Sequence, residues 1–389
     1  MKFVAFYADE ETNNRHFSLT GNSIVSYVYD KLIENNIDCE IISPSWYKCK
    51  HKFSKSYSEK DSCGRNVRYT PSFCWKCDRK SEYILRILLA WFWLTVYLIK
   101  NCKKGERVLI YHTTNLMLPL ILVKKIKKLK FIAYFGEMYQ DVYDMPNFEK
   151  KIEQHFINLC DDYLFANRNL IERVQNWSES SKEYVELLGP YRKQQIFERN
   201  RDDQITKIVY AGKINADKGV MNVIKAAEYL DDNYEIHILG YGTKQCLENM
   251  KKNIEEVSKK SDGCRVVYDG ILTGVDYNRF LQGCDVGICV QNTEAAFNMY
   301  SFPSKILSYL GNGLSVLCIS MSAVSESPLR EILYFCQTNE PSEIAKEIRT
   351  NSFTRKIDEN LTIIENLDSN FAQGLIHLIK KCDRRNMIY

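Results

Sequence analysis

Tyr300-Ser301-Phe302-Pro303-Ser304-Lys305-Ile306-Leu307-Ser308-Tyr309-Leu310-Gly311-Asn312-Gly313 is the stretch that decides how the chain is read. Pro303 and Ser304 are helix start signals, Lys305 falls in the first turn, and Gly313 is a stop signal. A helix is therefore expected over Ser304–Leu310. The β-branched run Val286–Val290 precedes it and Ser315–Ile319 follows, which makes a strand–helix–strand unit. A helix that opens beyond a strand's carboxyl end offers free amide donors to an anionic or hydroxyl-rich ligand, and Lys305 adds a cation.

Upstream, the same alternation holds. Strands are expected at Lys207–Ala211, Tyr234–Leu239 and Arg265–Tyr268, with helices at Val220–Leu230, Lys244–Lys259 and Tyr277–Gln282. In the first half the strands are Phe3–Ala8, Cys39–Ser43, Arg107–Tyr111, Lys130–Tyr134 and Tyr163–Ala166. Helices are expected there at Gly21–Asn35, Tyr83–Ile99, Asn115–Lys128 and Asn147–Cys160. Strand followed repeatedly by helix means parallel strands joined by right-handed crossovers. The expected fold class is α/β, with two Rossmann-like lobes facing a central cleft. Gly189-Pro190 closes the first lobe (1–190), and the polar stretch 191–205 reads as a linker or a short helix. The second lobe covers 206–365. A C-terminal helix within 366–389, clearest over Ser369–Cys382, is expected to return to the first lobe. Two domains suit 389 residues, and there is no short-period repeat.

A hydrophobic share of 45% and a charged share of 26% describe a globular protein. The net charge of +4, with no long Lys/Arg run, argues against a nucleic-acid binder. Strand-like KFVAFYA follows Met1 directly, where a secretory leader would be basic and then apolar, so the 14 cysteines are expected as free thiols in a reducing cytosol. Cys74 and Cys77, near Cys63, Cys49 and His51, have the spacing of half a zinc site. The other half lacks a comparable pair, so no metal is expected. The apolar run Tyr83–Ile99 is shorter than the roughly 20 residues of a membrane span and is interrupted by Arg86, so a buried helix is expected. Lys124, Lys125, Lys127, Lys128 and Lys130 are either a solvated helix end or a surface that rests on anionic lipid.

Ligands of open parallel sheets lie outside the carboxyl ends of the strands. After Lys207–Ala211 comes AGKINADKGV: Gly212 allows a tight turn, Lys213 and Lys218 flank the loop, and Gly219 precedes a helix. That combination suits a diphosphate. Gly240-Tyr241-Gly242 follows the next strand, and Asp269-Gly270 the one after.

This ordered set, GK-(x4)-KG, GYG, DG, D-V-G-I and FPSKILSYLGNG, resembles the donor lobe of retaining glycosyltransferases of family 4, which have the GT-B fold. ETNNRHFSLTGN, FGEMYQDVY and LFANRNLIERV are similar to segments of the acceptor lobe. The resemblance implies that Lys213 and Lys218 hold the donor diphosphate and that Gly240, Tyr241 and Gly242 lie near the nucleotide. It implies that Asn298, Met299, Tyr300, Ser301 and Phe302 form the loop that meets the transferred sugar. Ser304 and Lys305 would approach sugar and phosphate. The family's pair of glutamates falls on Tyr300 and Ser308, and the Ser308 hydroxyl cannot supply a carboxylate. In the first lobe, His112 and Glu137 at strand ends are candidates to contact the donor sugar or the acceptor hydroxyl, with a helix cap or buried hydrogen bond as the other reading of His112. Tyr139, Arg15 and His16 are candidate acceptor contacts.

The implied activity is retaining, metal-independent transfer of a sugar from a nucleotide-diphosphate donor to a saccharide or lipid-linked saccharide acceptor. It belongs to bacterial surface-polysaccharide assembly, in the cytoplasm at the inner face of the membrane, with no cofactor beyond the donor. The other reading is a non-catalytic subunit of the same fold that stabilises a partner enzyme. An epimerase would need acid/base groups at the cleft, whereas His237 sits inside a strand.

Overall fold

The structure is a computed structural model that describes residues 1–9, 14–48, 51–75, 80–175, 182–199, 204–215, 218–260, 263–292 and 302–381. Contacts divide the chain into two compact units: Met1–Pro190 together with the chain from Asn370 onward, and Tyr191–Ser369.

The first unit holds β1 Lys2–Val4, β2 Glu40–Ser43, β3 Lys52–Ser54, β4 Tyr57–Lys60, β5 Asn66–Tyr69, β6 Ser72–Cys74, β7 Arg107–Tyr111, β8 Lys130–Phe135, β9 Asp162–Phe165 and β10 Tyr184–Glu186. Eight of these form one sheet in the order β10-β9-β8-β7-β1-β2-β5-β4, parallel except for the β4–β5 pair. The central strands are buried almost throughout, as at Phe131–Phe135, because helices cover both faces of a parallel sheet. The stretch from Lys52 to Cys74 was not expected as strands. Its short, polar β4 and β5 extend the sheet at one edge, while β3 and β6 pair as a separate antiparallel ribbon.

The second unit holds β11 Thr206–Ala211, β12 Tyr234–Leu239, β13 Arg265–Gly270, β14 Val286–Cys289, β15 Ser315–Ile319 and β16 Leu333–Cys336. All six are parallel, in the order β13-β12-β11-β14-β15-β16. This is the doubly wound order in which the chain builds one half of the sheet from β11 outward and then returns to β14 for the other.

Three expectations are corrected. The described part of 191–205 contains no helix and is no free tether: Gln194 N–H donates to Gly311 O (3.2 Å), Phe197 N–H to Gln282 Oε1 (2.8 Å), and Arg199 pairs with Asp285 (2.7 Å). It is a strap bonded along the second unit. The C-terminal helix is longer than expected, Ile357–Lys380. Its last turns do pack on the first unit, with Phe371 against Tyr27 (centroids 5.5 Å) and Arg107 donating to Leu378 O (2.9 Å) and Lys381 O (2.7 Å). The helix Lys80–Asn101 is only half buried, with one apolar face outward.

Among the described residues no group of three His, Cys, Asp or Glu side chains is placed to hold a metal. Cys74 is buried and Cys63 exposed, while Cys49 and Cys77 lie outside the described residues.

Phe371 is fully buried, so Phe371→Ala should cost about 3–5 kcal/mol through lost burial and a cavity. Chemical denaturation would show this as an earlier unfolding midpoint.

Candidate functional site

In the second unit the strand order turns back between β11 and β14, and such a reversal leaves a crevice outside the carboxyl ends of those two strands. Backbone packing closes the floor of that region. Gly240 has φ 144°, and a Cβ there would lie 1.7 Å from Gly212 O. Gly219 has φ 78°, and its Cβ would lie 1.8 Å from Val290 O. No residue with a side chain fits either place. Hydrogen bonds then lace the turns together: Gly212 N–H to Leu239 O (3.0 Å), Ile214 N–H to Tyr241 O (2.8 Å) and Gly240 N–H to Gly270 O (2.8 Å). The loops after β11, β12 and β13 therefore act as one rim, and the loop after β14 touches it through Gly219.

Tyr309, which the sequence reading did not single out, pegs the Lys305–Gly311 helix to this rim. Its buried hydroxyl accepts from Ala211 N–H (2.8 Å) and donates to Ile288 O (3.4 Å), joining the ends of β11 and β14. Its ring lies where a Gly287 Cβ would be, 2.3 Å away. Lys305 stands one helical turn earlier on the same face. Its Nζ lies 3.9 Å from the centroid of the Tyr210 ring and 3.6 Å from where a Gly212 Cβ would project. Burial pushes the Lys305 ammonium pKa down, and the charge of Lys218 adds to that; the Cys289 thiol opposes it. Lys305 has no ion-pair or hydrogen-bond partner among the described residues. Two cations thus converge at the switch point in a setting that favours an incoming anion.

The remaining candidates on this unit are spread along the same rim. Lys213 is exposed, and its carbonyl accepts from Tyr210 Oη (2.8 Å). Lys218 is half-buried at the foot of the Val220–Ala226 helix, with Gly219 as N-cap. Tyr241 is exposed, and Gly242 packs with its Cβ position 2.7 Å from Ile214 O. Phe302 is buried and Ser304 exposed, at the start of the helix. Ser308 is already engaged, 3.2 Å from Tyr277 Oη. Asn298, Met299, Tyr300 and Ser301 lie outside the described residues.

In the first unit two candidates turn inward. Arg15 is wholly buried between the rings of Tyr47 (4.2 Å) and Tyr69 (4.3 Å), donates to Ser45 O, and reaches Ser54 Oγ (3.2 Å) and Tyr57 Oη (3.3 Å). It holds the β3–β5 region in place; with no exposed surface it cannot meet an acceptor. His112 is equally enclosed, against Phe135 (4.6 Å), Tyr139 (5.1 Å) and Phe156 (5.9 Å). Its Nε2 lies 3.5 Å from Glu153 Oε1, too far for a good hydrogen bond. Burial pushes its pKa down to about 3. The expectation of a direct ligand contact is therefore replaced by a neutral packing histidine.

Glu153 explains the neighbouring loop. Its buried carboxylate accepts from Tyr139 N–H (2.8 Å) and Gln140 N–H (3.0 Å), capping the short Tyr139–Val142 helix. Glu137 remains half-buried at the end of β8, beside the phenols of Tyr111 and Tyr139, whose pKa values it helps to raise after burial itself. Tyr139 stacks on Tyr143 (5.8 Å) and points its hydroxyl at His112 O (3.5 Å). His16 is exposed beside Trp46 (5.8 Å).

No family model matches the sequence, and no curated protein matches it either. Solved structures do. A trehalose-6-phosphate structure from E. coli, bound with UDP-2-fluoro glucose, superposes with a TM-score of 0.69 at 8% identity, covering 98% of this chain and 99% of that one. The lipopolysaccharide outer core galactosyltransferase WaaB matches at 0.63 and 13% identity, covering 97% of this chain and 99% of its own. Anabaena HepE in complex with UDP matches at 0.62 and 9%, covering 97% of each. At these identities the likeness is one of fold: two Rossmann-like lobes in the GT-B arrangement of elements, over nearly the whole chain.

Two outcomes follow from the geometry. Tyr309→Phe leaves Ala211 N–H buried without its acceptor and should cost about 1–3 kcal/mol in chemical denaturation. For His112 the unfolded imidazole takes a proton near its ordinary 6.5 and the folded one only near 3. Between those values the unfolded state holds more protons, so this residue's share of stability is full above about pH 6.5 and is lost as pH falls. His112→Phe should flatten the fall in melting temperature across that window.

Proposed function

We propose that this chain is a hexosyltransferase that moves a sugar from a nucleotide diphosphate to a saccharide or lipid-linked saccharide acceptor. The observation that carries this reading is the half-buried Lys305, its ammonium 3.9 Å from the centroid of the Tyr210 ring and beside Lys218 at the β11/β14 switch point. A diphosphate placed there meets Lys305, Lys218 and, from the rim, Lys213. Cleavage of the sugar C1–O bond builds negative charge on the departing diphosphate. Cations already fixed in a partly dry site stabilise that charge without reorganising at the moment of reaction. The same three lysines supply what a bridging metal would otherwise supply, so the transfer is proposed to need neither metal nor cofactor beyond the donor. The UDP named for two of the structurally similar proteins favours a uridine donor. Gly240, Tyr241 and Gly242 would then face the nucleotide, and the loop from Asn298 to Phe302 the sugar.

For the first lobe the reading narrows to Glu137, Tyr139 and His16 as groups with accessible surface for an acceptor; Arg15 and His112 support them from behind. The domain roles follow: 1–190 binds the acceptor and 206–365 the donor. Retention of configuration, and a place in bacterial polysaccharide assembly at the inner face of the membrane, complete the proposal.

Lys213→Ala combined with Lys218→Ala should lower turnover by at least about 10²-fold, on the scale of losing a preorganised transition-state donor, with an unchanged melting temperature. Normal turnover in that variant overturns the reading. UDP at about 100 times its Kd should add about 2.7 kcal/mol of apparent stability, visible as a thermal shift that Lys305→Ala reduces.

A further inference from the structure

The helix Lys80–Asn101 buries its internal charges and exposes apolar side chains. Its inner ladder is Glu82, Arg86, Ala90, Leu94 and Leu98, all buried at four-residue intervals. The charged pair lies on that inner side: Arg86 donates to Glu82 Oε1 at 2.9 Å, and the same oxygen accepts from Trp75 N–H at 2.7 Å. The outward face carries Ile84, Leu85, Leu88 and Phe92, each between 45% and 57% exposed. An ordinary surface helix puts its charges outward and its apolar stripe inward, so this arrangement calls for an apolar environment on the outside.

The next helix repeats the pattern. Met117–Lys127 packs against Lys80–Asn101, and the Trp91 indole donates to Asn115 O just before it. Its outward ridge is Leu118, Leu122 and Ile126, again 40–52% exposed. Both helices lead into adjacent parallel strands, β7 and β8, so they run in the same direction. Their carboxyl ends, joined by the Gly105 N–H to Lys127 O bond (2.9 Å), gather exposed Lys100, Lys103, Lys104, Lys125 and Lys128. None of these five ammonium groups has an ion-pair partner among the described residues. The only acidic residue of the two helices is the buried Glu82. Lys124, by contrast, is paired inward with Asp161.

We infer that these two helices form a single docking face for an anionic phospholipid membrane, the apolar ridges entering the acyl boundary and the lysine end meeting the headgroups. The absence of exposed acidic side chains on the two helices and a row of unpaired lysines beside exposed leucines match the charge and polarity of that interface; Glu106, at the lysine end, is bonded to Lys2 and Lys103 N–H. Among the described residues Ser81–Asn101 is long and apolar enough to cross a bilayer. Its inner ladder is committed to the lobe, however, so the helix lies along the surface. The inference extends the proposed inner-membrane placement; it names the surface that would bring the first lobe to a lipid-linked acceptor. It can nonetheless be tested with no donor present.

The full chain should be sedimented with vesicles of phosphatidylcholine alone and of phosphatidylcholine with phosphatidylglycerol. Partition onto the anionic vesicles should be stronger by on the order of tenfold and should weaken with added salt. Leu88→Glu with Leu122→Glu, both at exposed positions, should cut that partition by on the order of tenfold. The melting temperature and the thermal shift with UDP should stay unchanged, which separates a failure here from a failure of donor binding. Equal partition onto both vesicle types, or wild-type partition of the double variant, overturns the inference. A solution dimer that the double variant dissociates, with no vesicle binding, would overturn it too and assign the face to a second copy.

Discussion

The second lobe depends on two places where backbone meets backbone with no room for a side chain: Gly240 against Gly212 and Gly219 against Val290. Each brings the loop after one strand onto the loop after its neighbour. The result is a rim at the end of the sheet whose amides, carbonyls and lysines are held by main-chain geometry rather than by flexible side chains. Tyr309 continues this logic in the third dimension. Its hydroxyl serves strand ends on both sides of the reversal, so the helix bearing Lys305 cannot slide without breaking buried hydrogen bonds.

Charge is treated differently in the two lobes. In the first, buried cations are partnered: Arg65 forks onto Asp30 (2.7 and 2.9 Å), and Arg15 lies between aromatic faces and gives its terminal nitrogens to three acceptors, with Nε left unbonded. Those groups hold up the irregular β3–β6 region, where apolar burial is sparse. At the β11/β14 switch point, Lys305 sits over Tyr210 beside Lys218, and burial lowers its pKa instead of a carboxylate raising it. A partnered cation is scaffolding, whereas a half-buried one without a described counter-charge is poised for a ligand. The same contrast separates Lys124, bonded to Asp161, from the open lysines at the ends of the two outward-facing helices.

The sequence by itself determined the α/β class, the alternation of strands and helices, the division near Pro190 and the loops after β11, β12 and β13. Periodicity and turn residues are local signals, and parallel strands buried on both faces leave a strong one. Glycine at 212, 219 and 240 was legible for the same reason. Tertiary structure alone decided the rest. Arg15 and His112 stand at loop and strand-end positions that read as ligand contacts, yet both are enclosed, because burial depends on distant partners such as Tyr69 and Phe156. The apolar run from Tyr83 to Ile99 read as a core helix, since hydropathy counts apolar residues without telling which side meets the lobe. Only packing showed Glu82 and Arg86 facing in and Leu88 facing out. Tyr309 stands at an ordinary position of a short helix, and its hydroxyl bonds two strands at Ala211 and Ile288, 98 and 21 residues away in sequence; hydrogen bonds of that span have no signature in a window of ten residues.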